Sequence, residues 1–314
     1  MLETGLKRAL GAYVFDRYAA LRIVLIFVLT LSFYPAVKAF TLGQIQLWIN
    51  ALFAAAMAAF ALGGRIASGA LIGLICLLKP HYGLFALWGL INREWRFAAA
   101  CILIGTAGLL MSIWAYGWAN HLDYLSVLAF MSERGEAYYA NQSINGLLNR
   151  LAALSASGAP ENTDFNAFGF PPFNPWVYWL TFISSAVILL MGLFRKSEPM
   201  NRTLAFAILA VSLTIASPIA WEHHYGLLLP VFAFMAGLLA KRQVELAIVA
   251  CCAFFVSKFI PAFNMLAGTP FNVLQSYTLA GGVVFLLVMH SHLTSLEYAS
   301  PRSFNLPVKI RRTT

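Results

Sequence analysis

Charge is what this sequence has least of. Only 11% of its 314 residues are Asp, Glu, Lys or Arg, against roughly 25% in ordinary soluble domains. Acidic residues are scarcest, 12 against 21 basic. A soluble chain of this length could not bury an apolar content of 61%, so lipid must be the solvent for much of the surface. Cysteines are also few. Cys76, Cys101, Cys251 and Cys252 all lie inside apolar segments with no CxxC spacing, which excludes a disulfide framework in polar loops and a cysteine metal site. The net charge of +9 comes from basic residues set singly or in pairs between apolar runs. That is the pattern of cytoplasmic anchors, and no nucleic-acid groove is expected from it.

What is present is a succession of apolar segments. They can be drawn at 22–41, 45–63, 66–92, 97–117, 175–194, 203–221, 225–240, 244–264 and 271–289. The expected fold class is therefore all-α, a polytopic transmembrane helical bundle of about nine apolar segments in a single domain, 1–314. Lys7, Arg8, Arg17 and Arg22 precede the first run, which lacks a small-residue cleavage site and reads as a retained anchor. One polar stretch, 118–174, carries Asp123, Glu133, Arg134, Glu136, Asn141, Arg150, Glu161 and Asp164, and reads as a long outer loop.

Lys and Arg set the orientation. Clusters at 7–22, Arg65, Arg93 with Arg96, Arg195-Lys196 with Arg202, Lys241-Arg242, and Arg302 to Arg312 are expected to be cytoplasmic. A single crossing by 66–92 would put Arg65 and Arg93 on opposite faces. The conflict disappears if the segment enters and returns, turning at Leu78-Lys79-Pro80-His81, where proline breaks the helix. Each arm then has about 13 residues, roughly 20 Å, short enough to need a protein cavity around it. The alternative is one proline-kinked span with the N-terminus outside.

The hairpin gathers Gly43-Gln44, Lys79-Pro80-His81, the 118–174 stretch and Ser217 to His224 on one outer face. A lysine near membrane depth is a candidate ligand for an anionic phosphate, or else an anchor that snorkels to the interface. In Ser217-Pro218-Ile219-Ala220-Trp221-Glu222-His223-His224-Tyr225, Glu222 can orient an imidazole, and a cationic histidine can meet a phosphate or sugar hydroxyl. The same residues could instead form an interfacial polar cap. Adjacent histidines on a helix point about 100° apart, so no metal site is expected there. The amides and hydroxyl of Asn141-Gln142-Ser143 suit sugar hydroxyls, a helix cap or a glycosylation sequon.

At these residues the chain resembles glycosyltransferase family 87, polytopic GT-C enzymes that use polyprenyl-phosphate sugars. The matching pieces are Tyr34-Pro35 with Leu42-Gly43-Gln44, Leu78-Lys79-Pro80 before Asn92-Arg93, Asn141-Gln142-Ser143 with Gly146-Leu147-Leu148, and Ser217-Pro218 with Trp221-Glu222-His223. They cover about residues 30–230. The resemblance implies inverting transfer of a hexose, mannose by family habit, from a polyprenyl phosphate to a lipid-linked or cell-envelope acceptor in a bacterial inner membrane, with no cofactor or metal. It makes Glu222, His223 and His224 catalytic candidates, with Lys79 and His223 on the phosphate side. Lys79, His81, Gln44, Asn141, Gln142 and Ser143 become substrate-binding candidates. The family's carboxylate lies in the first outer loop, where this chain has no Asp or Glu. The sequence thus reads as though N-terminal helices were missing, Asp16 sits on the basic side, and Asp123, Glu133 or Glu136 would have to replace the base. The rival expectation is a lipid or solute transporter, or a non-catalytic scaffold.

Overall fold

The computed structural model describes residues 19–155 and 170–299, and every regular element among them is helical. Lys7, Arg8, Asp16, Arg17, Glu161, Asp164 and the basic run 302–312 lie outside the described residues.

Among the described residues the expected apolar segments become helices of unequal length. In chain order the first elements are α1 (Ala19–Ser32), α2 (Tyr34–Thr41), α3 (Gln46–Ala61), α4 (Arg65–Leu78), α5 (Leu84–Ile91) and α6 (Trp95–Tyr116). Next come α7 (Trp118–Arg134), α8 (Ile144–Ser155), α9 (Pro175–Leu193) and α10 (Arg202–Ala216). The last are α11 (Leu228–Leu238), α12 (Gln243–Ser257), α13 (Pro261–Asn264) and α14 (Tyr277–Ala299). Trp95–Tyr116, Pro175–Leu193, Pro199–Ala216 and Asn272–Tyr298 are each long and apolar enough to cross a membrane, and α1 with α2 would make a fifth span bent by 59°. Gln46–Ala61, Arg65–Leu78 and Gln243–Ser257 are apolar but shorter. Leu103, Leu110, Met111, Leu180, Phe182 and Ile183 stand exposed on α6 and α9. Such apolar surface requires a hydrocarbon solvent, and the chain is an integral membrane protein.

Local chemistry sets several boundaries. Pro80 follows α4, and Lys79 before it is held extended at φ −138°, ψ 94°, because the proline ring disfavours a helical residue ahead of it. Asn174 caps α9 by accepting from Trp176 N at 3.0 Å and Val177 N at 3.3 Å, with Pro175 in the first turn. The stretch 118–174, read as a loop, contains α7 and α8. Alternating polar residues obscured both helices at the sequence level, since neither is apolar enough to stand out.

The chain turns back between α4 and α6. Gly69 faces Phe97 and Ala100, Gly73 faces Cys101 and Ile104, and Gly108 faces Leu77, so α4 and α6 run side by side in the same direction. The small residues allow the backbones to approach closely. The intervening α5 returns the chain, with Gly89 against Phe97 and Ala98. Behind this pair lies α10, buried from Leu204 to Ala216. Phe206 stacks on Phe60 at 4.9 Å between ring centroids, and Phe85, Trp88 and Phe97 close around it.

Helix ends sort into two kinds. At one end Glu94 accepts from Arg65 and Arg202, each at 2.8 Å, and Arg195 meets Glu297 at 3.0 Å. Arg242 there contacts Glu245 and His292. The C-termini of α4 and α10 lead the other way, into the polar cluster.

Candidate functional site

The site is built around a short extended contact. Asn141 and Trp221 form an isolated antiparallel bridge. Gln142 N donates to Ala220 O at 2.8 Å, and Glu222 N donates to Ala140 O at 3.0 Å. This joins the segment after α7 to the link between α10 and α11. Gly135 makes the turn into it at φ 65°, and a side chain there would run into Asn145. Only glycine meets both demands.

Asn141, Gln142 and Ser143 are fully buried, and their polar atoms are engaged with the protein's own backbone. Asn141 Nδ2 donates to Glu136 O and Pro218 O, and its Oδ1 accepts from Ala220 N at 2.9 Å. Gln142 Nε2 donates to Tyr139 O and Gln275 O, each at 2.7 Å, and Oε1 accepts from Leu279 N. Ser143 Oγ donates to Pro218 O at 2.8 Å and accepts from Gly146 N at 3.0 Å, capping α8. These side chains brace α8, α14 and the 217–222 link against one another. Gln44 stands apart, exposed in the turn before α3.

The 3₁₀ turn Glu222–Leu227 carries the remaining candidates. Glu222 is 2% exposed. Its Oε2 accepts from Tyr34 OH at 2.9 Å, and its Oε1 is buried with no hydrogen-bond partner. Burial pushes its carboxyl up to about 7, against the opposing pull of the Tyr34 hydrogen bond and of Lys38 and Arg150. Burial, then the charges of Lys79 and Lys38, lowers His223 to about 4. His224 is also held well below the usual imidazole range, by burial first and Lys79 second. Both rings therefore hold a proton less readily than an ordinary imidazole. Lys38 and Lys79 are the lysines whose charges act on His223. His81 is exposed beside Lys79, and these two share a small recess of about 10 Å³ with Gln46, Thr214, Ser217 and His224. That volume suits a single water.

Of the three described carboxylates in the 118–174 stretch, Asp123 and Glu133 are exposed on α7. Glu136 is 5% exposed and accepts from Trp221 Nε1 at 2.5 Å. Burial raises its carboxyl, partly offset by that bond. Two buried carboxylates thus flank the Trp221 segment. Among the described residues no group of three or more His, Cys, Asp or Glu is gathered to hold a metal.

Sequence reasoning did not single out Tyr34, Lys38, Gln46, Asn50, Gln275 or Ser276 as site residues. Lys38 follows Tyr34 by four residues, one helical turn, and a cation on that face of an apolar helix was a readable signal. Asn50 accepts from Gln46 at 2.8 Å and reaches His223 O, which no local pattern announces.

A profile of glycosyltransferase family 87 matches residues 4–218. The chain belongs to glycosyltransferase family 87. The matched region runs from the N-terminal basic stretch through Pro218 and takes in Tyr34, Lys38, Lys79 and Asn141-Gln142-Ser143. Two curated relatives have the same description, polyprenol-phosphate-mannose-dependent alpha-(1-2)-phosphatidylinositol mannoside mannosyltransferase. The Mycobacterium tuberculosis protein is 26% identical over 62% of this chain and 42% of its own length. The Mycolicibacterium smegmatis protein is 26% identical over 56% of this chain and 38% of its own. The chain spans about two fifths of the length of these relatives. No solved structure matches it.

Proposed function

We propose that this family 87 chain is a membrane glycosyltransferase. It moves a hexose, mannose by analogy with its relatives, from a polyprenyl-phosphate sugar to a hydroxyl of a lipid-linked or cell-envelope acceptor. Its polar cluster faces the outer side of a bacterial inner membrane, with 66–92 entering from the basic side and returning. The joining of Arg65 to Glu94 supports that path.

The observation that carries the reading is Glu222. One of its oxygens is bound to Tyr34, the other is buried without a partner, and Lys38 and Lys79 flank the same turn through their fields on Glu222 and His223. A carboxyl with its proton held near neutrality is matched to general-base work. Glu222 takes the proton of the acceptor hydroxyl as its oxygen attacks the anomeric carbon. The bond from that carbon to the phosphate oxygen breaks, and its electron pair leaves with the polyprenyl phosphate. Lys79 and Lys38 stabilise the dianion that departs. His223 and His224 supply hydrogen bonds. Glu136 fixes Trp221, and Asn141, Gln142 and Ser143 hold the frame.

The test is transfer of labelled sugar from polyprenyl-phosphate mannose by purified protein in lipid, comparing the unmodified chain with Glu222→Gln. Loss of transfer with donor binding retained supports the assignment. Full transfer by Glu222→Gln removes Glu222 from it.

A further inference from the structure

Arg150 is the largest charged side chain in the interior, 1% exposed on α8. Its Nη1 donates to Tyr138 O at 3.1 Å and Asn141 O at 3.0 Å, and its Nη2 donates to Ser276 Oγ at 2.6 Å. Its own carbonyl accepts from Asn272 Nδ2 at 3.1 Å. Nε is buried with no hydrogen-bond partner. Among the described residues no carboxylate forms an ion pair with it, whereas Arg65, Arg195, Arg202 and Arg242 each have one.

A guanidinium buried among neutral acceptors is costly, since three good hydrogen bonds do not replace a counter-charge. The cost is rational if a nearby anion uses the charge through space. The carboxylate that feels it is Glu222, and the influence is mutual. Among the described residues the set of titratable groups facing Glu222 is small. It comprises Tyr34 and Lys38 from α2, Tyr139 from the bridged segment, Tyr277 from α14 and Arg150 from α8. Only Lys38 and Arg150 are cationic. Lys38 sits on a half-buried, flexible stem, whereas Arg150 is fixed by its fork.

We propose that Arg150 is a positioning residue. Its fork locks the Tyr138–Asn141 segment against Ser276, that segment is paired with Trp221 and Glu222, and Arg150 thereby fixes the position of Glu222 and supplies a fixed positive charge on its side of the site. The inference rests on the assignment of Glu222 given above. It adds a reason for Arg150, which in the sequence is one polar residue among those of the 118–174 stretch.

Infrared difference titration of the Glu222 carboxyl, referenced to Glu222→Gln, tests the charge without requiring turnover. In the unmodified protein the protonated carboxyl band is expected to disappear with a midpoint near 7. Arg150→Gln is expected to raise that midpoint by about one unit, and Arg150→Lys, which keeps the charge, to leave it within about 0.3 unit. An unchanged midpoint in Arg150→Gln overturns the electrostatic role. Where that variant fails to fold, Arg150→Met serves, because it removes the charge without leaving a buried amide. The same rise supports the proposal, and no rise overturns it. The positioning role is read in transfer kinetics. Arg150→Lys should lower kcat about tenfold with the donor KM unchanged, and an effect on KM alone contradicts it. If the unmodified chain transfers no sugar, the glycosyltransferase reading fails, while the infrared midpoints still decide the role of Arg150.

Discussion

Arg65 and Glu94 meet at 2.8 Å although 29 residues separate them. The partnership closes the excursion made by α4, the Pro80–Gly83 turn and α5, and it brings Arg202 to the same carboxylate. If the basic end is cytoplasmic, the tip of that excursion faces outward. Single cysteines at Gln44 and Pro80, both exposed, should react with an impermeant thiol reagent added outside intact cells, in a background lacking the native cysteines. Cysteines at Arg93 and Lys241, also exposed, should react only after permeabilisation. Labelling of 93 from outside, with 80 protected, would show that 66–92 crosses once.

Glu222 makes a signed prediction for pH. Its proton is held more tightly in the folded protein, near 7, than at the ordinary carboxyl value of 4.5. Its contribution to stability is therefore fully present below about 4.5 and is lost as pH rises through 7. Thermal unfolding in detergent should become easier between pH 5.5 and pH 8 (about 1 to 2 kcal/mol), and Glu222→Gln should flatten that slope. Catalysis runs the opposite way, because the ionised form is the base. The rate should climb through pH 7. A stability slope unchanged in Glu222→Gln would assign the titration to another group.

Lys79 is expected to hold the donor phosphate. Lys79→Ala should weaken polyprenyl-phosphate mannose binding by roughly ten- to a hundredfold, the equivalent of a charge-assisted hydrogen bond of about 1.5 to 3 kcal/mol. Protein level and insertion should stay normal, since Lys79 is only part-buried and caps α4 through its backbone. Equal affinity in the two proteins reduces Lys79 to an interfacial anchor.

Gln142 and Gln44 separate bracing from exposure. Gln142→Ala leaves Tyr139 O, Gln275 O and Leu279 N without their partner. It should destabilise the protein by about 2 to 4 kcal/mol and lower activity in proportion to folded protein. Gln44→Ala should change stability by less than about 0.5 kcal/mol. A stable Gln142→Ala protein with a raised donor KM would make Gln142 a sugar ligand.

The long apolar helices were legible in the sequence because their composition alone demands lipid. The spans drawn at 97–117 and 175–194 lie within a residue or two of α6 and α9. Helices α7 and α8 were not, since His121, Asp123, Asn149 and Arg150 interrupt their apolar faces. The dense chemistry around Glu222 was visible as rare polar residues in an apolar chain. What Asn141, Gln142 and Ser143 do was not, because Pro218 lies 75 residues beyond Ser143 and Gln275 lies 133 beyond Gln142. Amides that bind sugar and amides that bind backbone are the same in a sequence. The weakened basicity of His223 was equally hidden, as it depends on burial and on two lysines far along the chain.

His223 offers an observable of donor binding. Burial, with the charges of Lys79 and Lys38, lowers its imidazole to about 4, and a bound phosphate opposes the field of the two lysines. Donor addition should raise the His223 midpoint from about 4 toward the ordinary histidine range, by a unit or more, as read from the imidazole proton resonances. A midpoint that ignores the donor places the phosphate elsewhere.

The most direct test of the whole account is single-turnover transfer from labelled polyprenyl-phosphate mannose in proteoliposomes, with Glu222→Gln and Glu136→Gln beside the unmodified chain. General-base catalysis contributes about 10²- to 10⁴-fold. Glu222→Gln should therefore lose rate by that factor while binding donor normally, and Glu136→Gln, which only loosens Trp221, should lose much less. A larger loss in Glu136→Gln than in Glu222→Gln, or no transfer by the unmodified protein, would contradict the account.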